Sequence, residues 1–183
     1  MLTTIQRHCC SLLLFWLLLT GCHTPTPPKE PQPTLSALLL HLSKEIPPQE
    51  AYTLATDIQT YAKTIEKRFD RHTSSPWLHN FLVNVGIKEK GLCYHYSDAL
   101  YTHLATQKRY PHFAFHLVGA HIGSYWQEHN ALLVTAKDGA LQKGIIIDAW
   151  RKPGKLYFVK VTQDPKYHWV HRPERGCCVK DLH

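Results

Sequence analysis

The amino-acid sequence predicts an α+β fold in which helices come first and an antiparallel sheet follows, and three observations carry that expectation. Apolar residues recur at helical steps between Leu54 and Phe69, the pattern shifts to strand-like alternation after residue 112, and turn residues bearing Gly or Pro separate the later apolar runs. At 183 residues, with 44% hydrophobic and 19% charged side chains, the chain has enough apolar material to bury a core of its own. No internal repeat divides it, so one domain is expected over residues 35–183.

The elements follow in order. Leu35 to Ser43 reads as a short helix, ended by Pro47-Pro48, where a second helix starts because proline is tolerated in a first turn. Along that second helix Leu54, Ile58, Tyr61, Ile65 and Phe69 share one face, while Lys63, Glu66 and Lys67 occupy others. Pro76 to Leu82 gives a further short helix, stopped by Gly86 and followed by the charged loop Lys88-Glu89-Lys90-Gly91. Helical spacing returns with Cys93, Ser97, Leu100, Tyr101 and Leu104, placing Cys93 at the amino-terminal end of a helix over 93–106. Four strands are then expected around Phe113 to Leu117, Ala131 to Val134, Ile145 to Ile147 and Leu156 to Val161. Lys137-Asp138-Gly139 and Lys152-Pro153-Gly154-Lys155 supply hairpin turns between the second and third and the third and fourth.

The first residues follow a different logic. Residues 1–21 begin with Arg7 and His8, run through the apolar block Leu12 to Leu19 and finish in Thr20-Gly21, which is the layout of a signal peptide. The block is short of the roughly 20 residues a bilayer span needs, so no transmembrane helix is expected. Leu19-Thr20-Gly21-Cys22 resembles the bacterial lipobox, which implies that the Cys22 thiol receives a diacylglycerol and that the new amino terminus is acylated after cleavage. Two lipid signals make such an anchor stable. Residues 22–34 then form a tether rich in proline (Pro25, Pro27, Pro28, Pro31 and Pro33), a semi-extended spacer that rises about 3.1 Å per residue. The expected location is the cell envelope, facing the periplasm from a membrane. Cleavage removes Arg7 and no acidic residue, taking the formal charge from +7 to +6. A basic surface suits anionic lipid headgroups, acidic polymers or peptide carboxylates, and export argues against a nucleic-acid partner.

Of six cysteines, Cys9 and Cys10 leave with the signal and Cys22 takes the lipid, so Cys93, Cys177 and Cys178 remain. An odd thiol in an oxidising compartment marks a reactive group, and Cys93 is the odd one out. A bond between the neighbours Cys177 and Cys178 closes a strained eight-membered ring, and the sequence leaves open whether they stay reduced or pair with another chain.

Three motifs carry the chemistry: Gly91-Leu92-Cys93-Tyr94-His95-Tyr96-Ser97 at a helix start, Glu128-His129-Asn130-Ala131-Leu132-Leu133-Val134 on a strand, and Ile145-Ile146-Ile147-Asp148-Ala149-Trp150 on the next. Their order and element types over residues 48–163 resemble the transglutaminase-like branch of the papain-like fold. The resemblance implies that Cys93 is a nucleophile, His129 its base and Asp148 the group that orients the histidine. The departure from the family's pattern is Asn130, where an alanine within a histidine-alanine-tryptophan run is frequent.

Each role is physically sensible. A thiolate is the attacking form of cysteine, and a helix amino terminus beside an imidazolium favours it. An aspartate fixes the imidazole's tautomer and stabilises its cation. The Cys93 backbone N–H is one donor for a developing oxyanion, with Trp77, His79 and Asn84 as candidate side-chain donors. Singly, a buried cysteine, a strand histidine and a strand-ending aspartate are ordinary core features, and their joint order and spacing, 36 and 19 residues apart, make the catalytic reading the stronger.

His112, His116, His121 and His129 invite a zinc reading, which the lack of HExxH or paired CxxC spacing disfavours, and the histidines are expected mainly on the surface. No acidic loop suggests calcium and no glycine pattern suggests a nucleotide, so no cofactor is expected. Tyr94, Tyr96, Tyr101, Trp126 and Trp150 are either a substrate groove or core. The function expected is a membrane-anchored cysteine peptidase or amidase acting on envelope peptides or proteins. The alternatives are a crosslinking transglutaminase, where an amine rather than water resolves the thioester, and a noncatalytic binding lipoprotein of the same fold.

Overall fold

A computed structural model describes residues 33–69, 78, 81–83, 85–87, 91–124 and 127–172. The expected signal segment, Cys22, most of the expected tether, Trp77, His79, Asn84, Trp126, Cys177 and Cys178 lie outside the described residues. The described residues fall in one unit, and no described helix is long and apolar enough to cross a membrane.

Helix α1 (Leu35–Leu40) starts where the Thr34 side chain accepts the Ala37 N–H at 3.3 Å, replacing a partner the first turn lacks. It ends three residues before the expected Ser43, because the chain tightens into an i→i+3 bond from Leu42 N–H to the Leu39 carbonyl. Helix α2 (Pro48–Arg68) buries Ala51, Leu54, Ala55, Ile58, Ala62 and Ile65 along one stripe. Tyr61, expected on that stripe, is half-buried and stacks on His103 at 3.8 Å. Residues 78 and 81–83 are helical, and the Gly86 and Ile87 N–H groups close that end on the carbonyls of Val83 and Leu82. The remainder of the 76–82 helix lies outside the described residues.

Helix α3 (Cys93–Thr106) buries Tyr96, Ser97, Leu100 and Leu104. It is braced to α2 through Asp57, whose carboxylate accepts from His103 at 2.8 Å, Arg109 at 2.8 Å and Tyr110 at 2.6 Å. Burial opposes the charge on Asp57, but these donors hold its carboxyl below the usual range.

Five strands follow in one antiparallel sheet, β1 (Phe113–Ala120), β2 (His129–Ala136), β3 (Ile145–Asp148), β4 (Tyr157–Lys160) and β5 (Val170–His171), in the order β4-β3-β2-β1-β5. Four stand where expected, while β5 is additional: two residues are too few to show a period. Both expected hairpins need correction. The β2–β3 link adds a 3-10 turn (Leu141–Lys143) to the turn at Ala136–Gly139, and β3–β4 pairs Asp148 with Tyr157, leaving eight residues between them.

The helices cover one face of the sheet with Leu132, Val134, Ile145 and Ile147 beneath them. The other face buries Val118, Ala131, Leu133 and Ile146 under Leu141, Val161 and Trp169. Strand β3 is thus covered on both sides, which is why Ile145-Ile146-Ile147 is an unbroken apolar run rather than an alternating one.

Candidate active site

The turn into α3 is set by Gly91, whose φ of 130° lies in a region that side chains rarely adopt. Its carbonyl accepts the indole N–H of Trp150 at 3.0 Å, tying the turn to the end of β3. At the helix start His95 Nδ1 accepts the backbone N–H groups of Gly91 and Leu92, each at 3.1 Å. An imidazole at the third helical position thereby does what Glu does in a capping box. These contacts present Cys93, unpaired and half-buried, in the first turn, where helix N–H groups lack intrahelical acceptors.

His129 opens β2 and Asp148 closes β3. The register pairs Leu132 with Ile147, and strand alternation puts His129 with Leu133 and Asp148 with Ile146 on one face. There His129 Nε2 and Asp148 Oδ2 stand 2.7 Å apart, with the two side chains 3% and 1% exposed. Nε2 being engaged with Asp148, Nδ1 is the nitrogen that remains, and the Cys93 side chain is near enough to bear on the charge of the imidazole. Burial disfavours the charged ring, yet the hydrogen bonds and charges of Asp148 and Cys93 outweigh it and push the histidine up to about 9. Burial likewise opposes the charge on Asp148, and the His129 hydrogen bond, the Arg151 guanidinium and backbone N–H donors hold it well below the carboxylate range.

Sequence reasoning missed the supports of this pair. Asp148 Oδ1 accepts the backbone N–H of Trp150 at 3.0 Å and of Arg151 at 2.9 Å, while Arg151 Nε reaches Oδ2 at 2.9 Å. The same guanidinium grips Asp164 with two bonds of 3.1 and 2.7 Å, and Asp164 also accepts the Trp169 indole N–H at 2.9 Å. The His129 ring is walled by Tyr167 at 4.7 Å, Trp150 at 5.2 Å and Trp169 at 5.6 Å. Arg151 lies only three residues after Asp148, but Asp164, Tyr167 and Trp169 come from an irregular stretch with no periodic signal.

Cys93 has two further neighbours. Its thiol donates to the Glu128 carbonyl at 3.9 Å, and the side-chain amide of Asn130 donates to Sγ at 3.8 Å.

Of the aromatic candidates, Tyr96 is core, Trp150 flanks the imidazole, Tyr94 packs on His95 and Tyr101 is exposed. The expectation of mainly surface histidines needs correction. His95, His103, His112 and His116 are partly buried and hydrogen-bonded, the last two to Glu50 and Thr135. Those two, His121 and His129 have separate partners, and no three His, Cys, Asp or Glu among the described residues are grouped to hold a metal. A cleft of about 240 Å³ between α2 and the β3–β4 connection, lined by Ala62, Lys63, Ala149, Leu156 and Phe158, contains none of the three site residues. The arrangement of Cys93, His129 and Asp148 is suited to moving a proton between sulfur and imidazole while a buried carboxylate holds the ring. No protein-family model, curated protein or solved structure matches the chain.

Proposed function

We propose that this chain is a membrane-anchored thiol acyl-transfer enzyme, a cysteine peptidase or amidase acting on envelope peptides or proteins, with a core of the papain-like, transglutaminase-like kind. The observation that carries the reading is the buried 2.7 Å bond between His129 and Asp148, with Cys93 at the start of α3 near enough to bear on the imidazole's charge. A histidine whose proton affinity is raised, near a thiol at a helix start, is the arrangement that a cysteine nucleophile and its base require.

The sulfur attacks an amide carbonyl, a C–S bond forms, and the carbonyl oxygen takes the negative charge. As the C–N bond breaks, the leaving amine takes the proton of the imidazolium, and a thioester remains on Cys93. Neutral His129 then removes a proton from water, whose oxygen attacks the thioester. The C–S bond breaks, the acid is released, and thiolate and imidazolium are restored. An amine in place of water gives crosslinking by the same steps.

The test is trapping from envelope extract with the full chain in detergent micelles, read by the mass of the peptide containing Cys93. A thioester adduct at Cys93 is expected, absent in Cys93→Ala and at least about tenfold reduced in His129→Ala. Release of the acyl group to water or to an added amine separates hydrolysis from transamidation. Labelling of Cys93 by iodoacetamide at pH 6 no faster than a model thiol, with no adduct, would leave a binding lipoprotein as the reading.

A further inference from the structure

Asn130 follows the histidine on β2 and is 5% exposed, an unusual burial for a side-chain amide unless its hydrogen bonds are met. Its orientation is dictated by chemistry. Arg172 Nη1 lies 3.3 Å from Asn130 Oδ1, and a guanidinium only donates, so the carbonyl end must face the arginine. The NH2 end is then the donor to Cys93 Sγ at 3.8 Å and to Glu128 Oε1 at 3.4 Å.

Arg172 is itself fixed. The same Nη1 is bonded to Glu128 Oε1, and Glu128 Oε2 accepts the Gly123 backbone N–H at 2.9 Å. Burial opposes the Glu128 charge, and these donors hold its carboxyl below the usual range. The arginine reaches inward over Gly119, where an added Cβ would stand 3.2 Å from Arg172 Cδ. Gly119 pairs with Asn130 on β2 and with Val170 on β5, so the short fifth strand is what brings the guanidinium to the site.

Resting on the reading of Cys93 as nucleophile, we propose that Asn130 is a further catalytic residue: its amide N–H stabilises the charged sulfur before attack and the carbonyl oxygen during it. Arg172 is its positioning residue, holding the amide in the donor orientation and polarising it. The amide joins the Cys93 backbone N–H as the side-chain donor of the oxyanion site. A donor to a charged atom in a partly dry site is worth far more than one between neutral groups in water.

The experiment compares iodoacetamide labelling of the Cys93 peptide at pH 6 and pH 10 in the full-length wild type, Asn130→Ala, Asn130→Asp and His129→Ala, with melting curves for each. Loss of the donor is expected to slow labelling about tenfold at pH 6 in Asn130→Ala and more in Asn130→Asp, where a carboxylate faces the sulfur. At pH 10, where thiolate dominates, Asn130→Ala should match wild type to within about twofold. If Asn130→Ala melts below the assay temperature, Asn130→Asp, which keeps the bond to Arg172, carries the comparison. Equal slowing at both pH values would make Asn130 structural and overturn the proposal. Unchanged labelling at pH 6 would overturn it too, while fast wild-type labelling lost in His129→Ala would leave the thiol–imidazole reading standing. A wild type that labels like a model thiol at pH 6 would instead remove the underlying reading.

Discussion

In the proposed reading His129 is the residue on which the chemistry turns, and its elevation to about 9 has two consequences of opposite character. For reactivity, the imidazolium proposed to protonate the leaving group persists up to about pH 9, so turnover is expected to fall above that value. For stability, a raised histidine contributes fully below its ordinary value near 6.5 and loses the contribution as pH rises through about 9. Urea unfolding of the wild type should therefore weaken by about 3 kcal/mol across that interval, and His129→Gln should lack this slope. A slope shared by both proteins would assign it to another group. Arg151 is the matching test on the acidic side, since it bridges two carboxylates whose pKa values are lowered against the pull of burial. Arg151→Ala should cost about 3 kcal/mol at pH 7 by leaving Asp148 and Asp164 without their shared cation. The difference should shrink as pH falls below the carboxylate range, because lowered carboxyls contribute only while ionised. Cys93, His129 and Asp148 were legible in the sequence because each sits at the end of a recognisable element. Arg151, Asp164 and Tyr167 were not, because packing between an irregular stretch and a sheet face leaves no spacing to read. Asn130 registered only as a departure from a family pattern, for nothing in one sequence shows which way an amide points.

The helices and long strands were legible for a plain physical reason: each buries one stripe or face, and burial writes a period into the chain. Elements without a period escaped, as β5 and the 3-10 turn at Leu141–Lys143 show. The turns were placed correctly, but their form was set by packing. At the β2–β3 connection Gly144 lies so close to the neighbouring strand that an added Cβ would be 2.6 Å from Leu133 Cδ1 and 2.9 Å from the Val134 carbonyl oxygen. Gly144→Ala is thus expected to destabilise by about 1–3 kcal/mol, measured by chemical denaturation, and a neutral result would mean that β3 shifts freely against β2. The start of α3 is the other sensitive point. His95→Ala removes the acceptor of two backbone N–H groups, so a loss of about 1 kcal/mol is expected together with slower Cys93 labelling. Stability lost with labelling unchanged would show that the cap holds the helix without aiming the thiol.

For the molecule as a whole, the expected Cys22 anchor and proline-rich tether make enzyme and membrane one unit in the proposed reading. In a bacterial host, wild type should partition into the detergent phase on cloud-point separation and Cys22→Ser into the aqueous phase; retention of the variant with detergent would point to another anchor. The aromatic wall of the site reaches to the same scale. Trp150 and Trp169 stand 5.2 and 5.6 Å from the His129 ring, and a protonated imidazole quenches the emission of an indole it touches. Two of the five tryptophans therefore act as lamps beside the His129 proton. Intrinsic fluorescence should brighten as the solution passes about pH 9, and His129→Gln should be bright throughout. The protonation state of the proposed base can then be followed by light alone, with no substrate in hand.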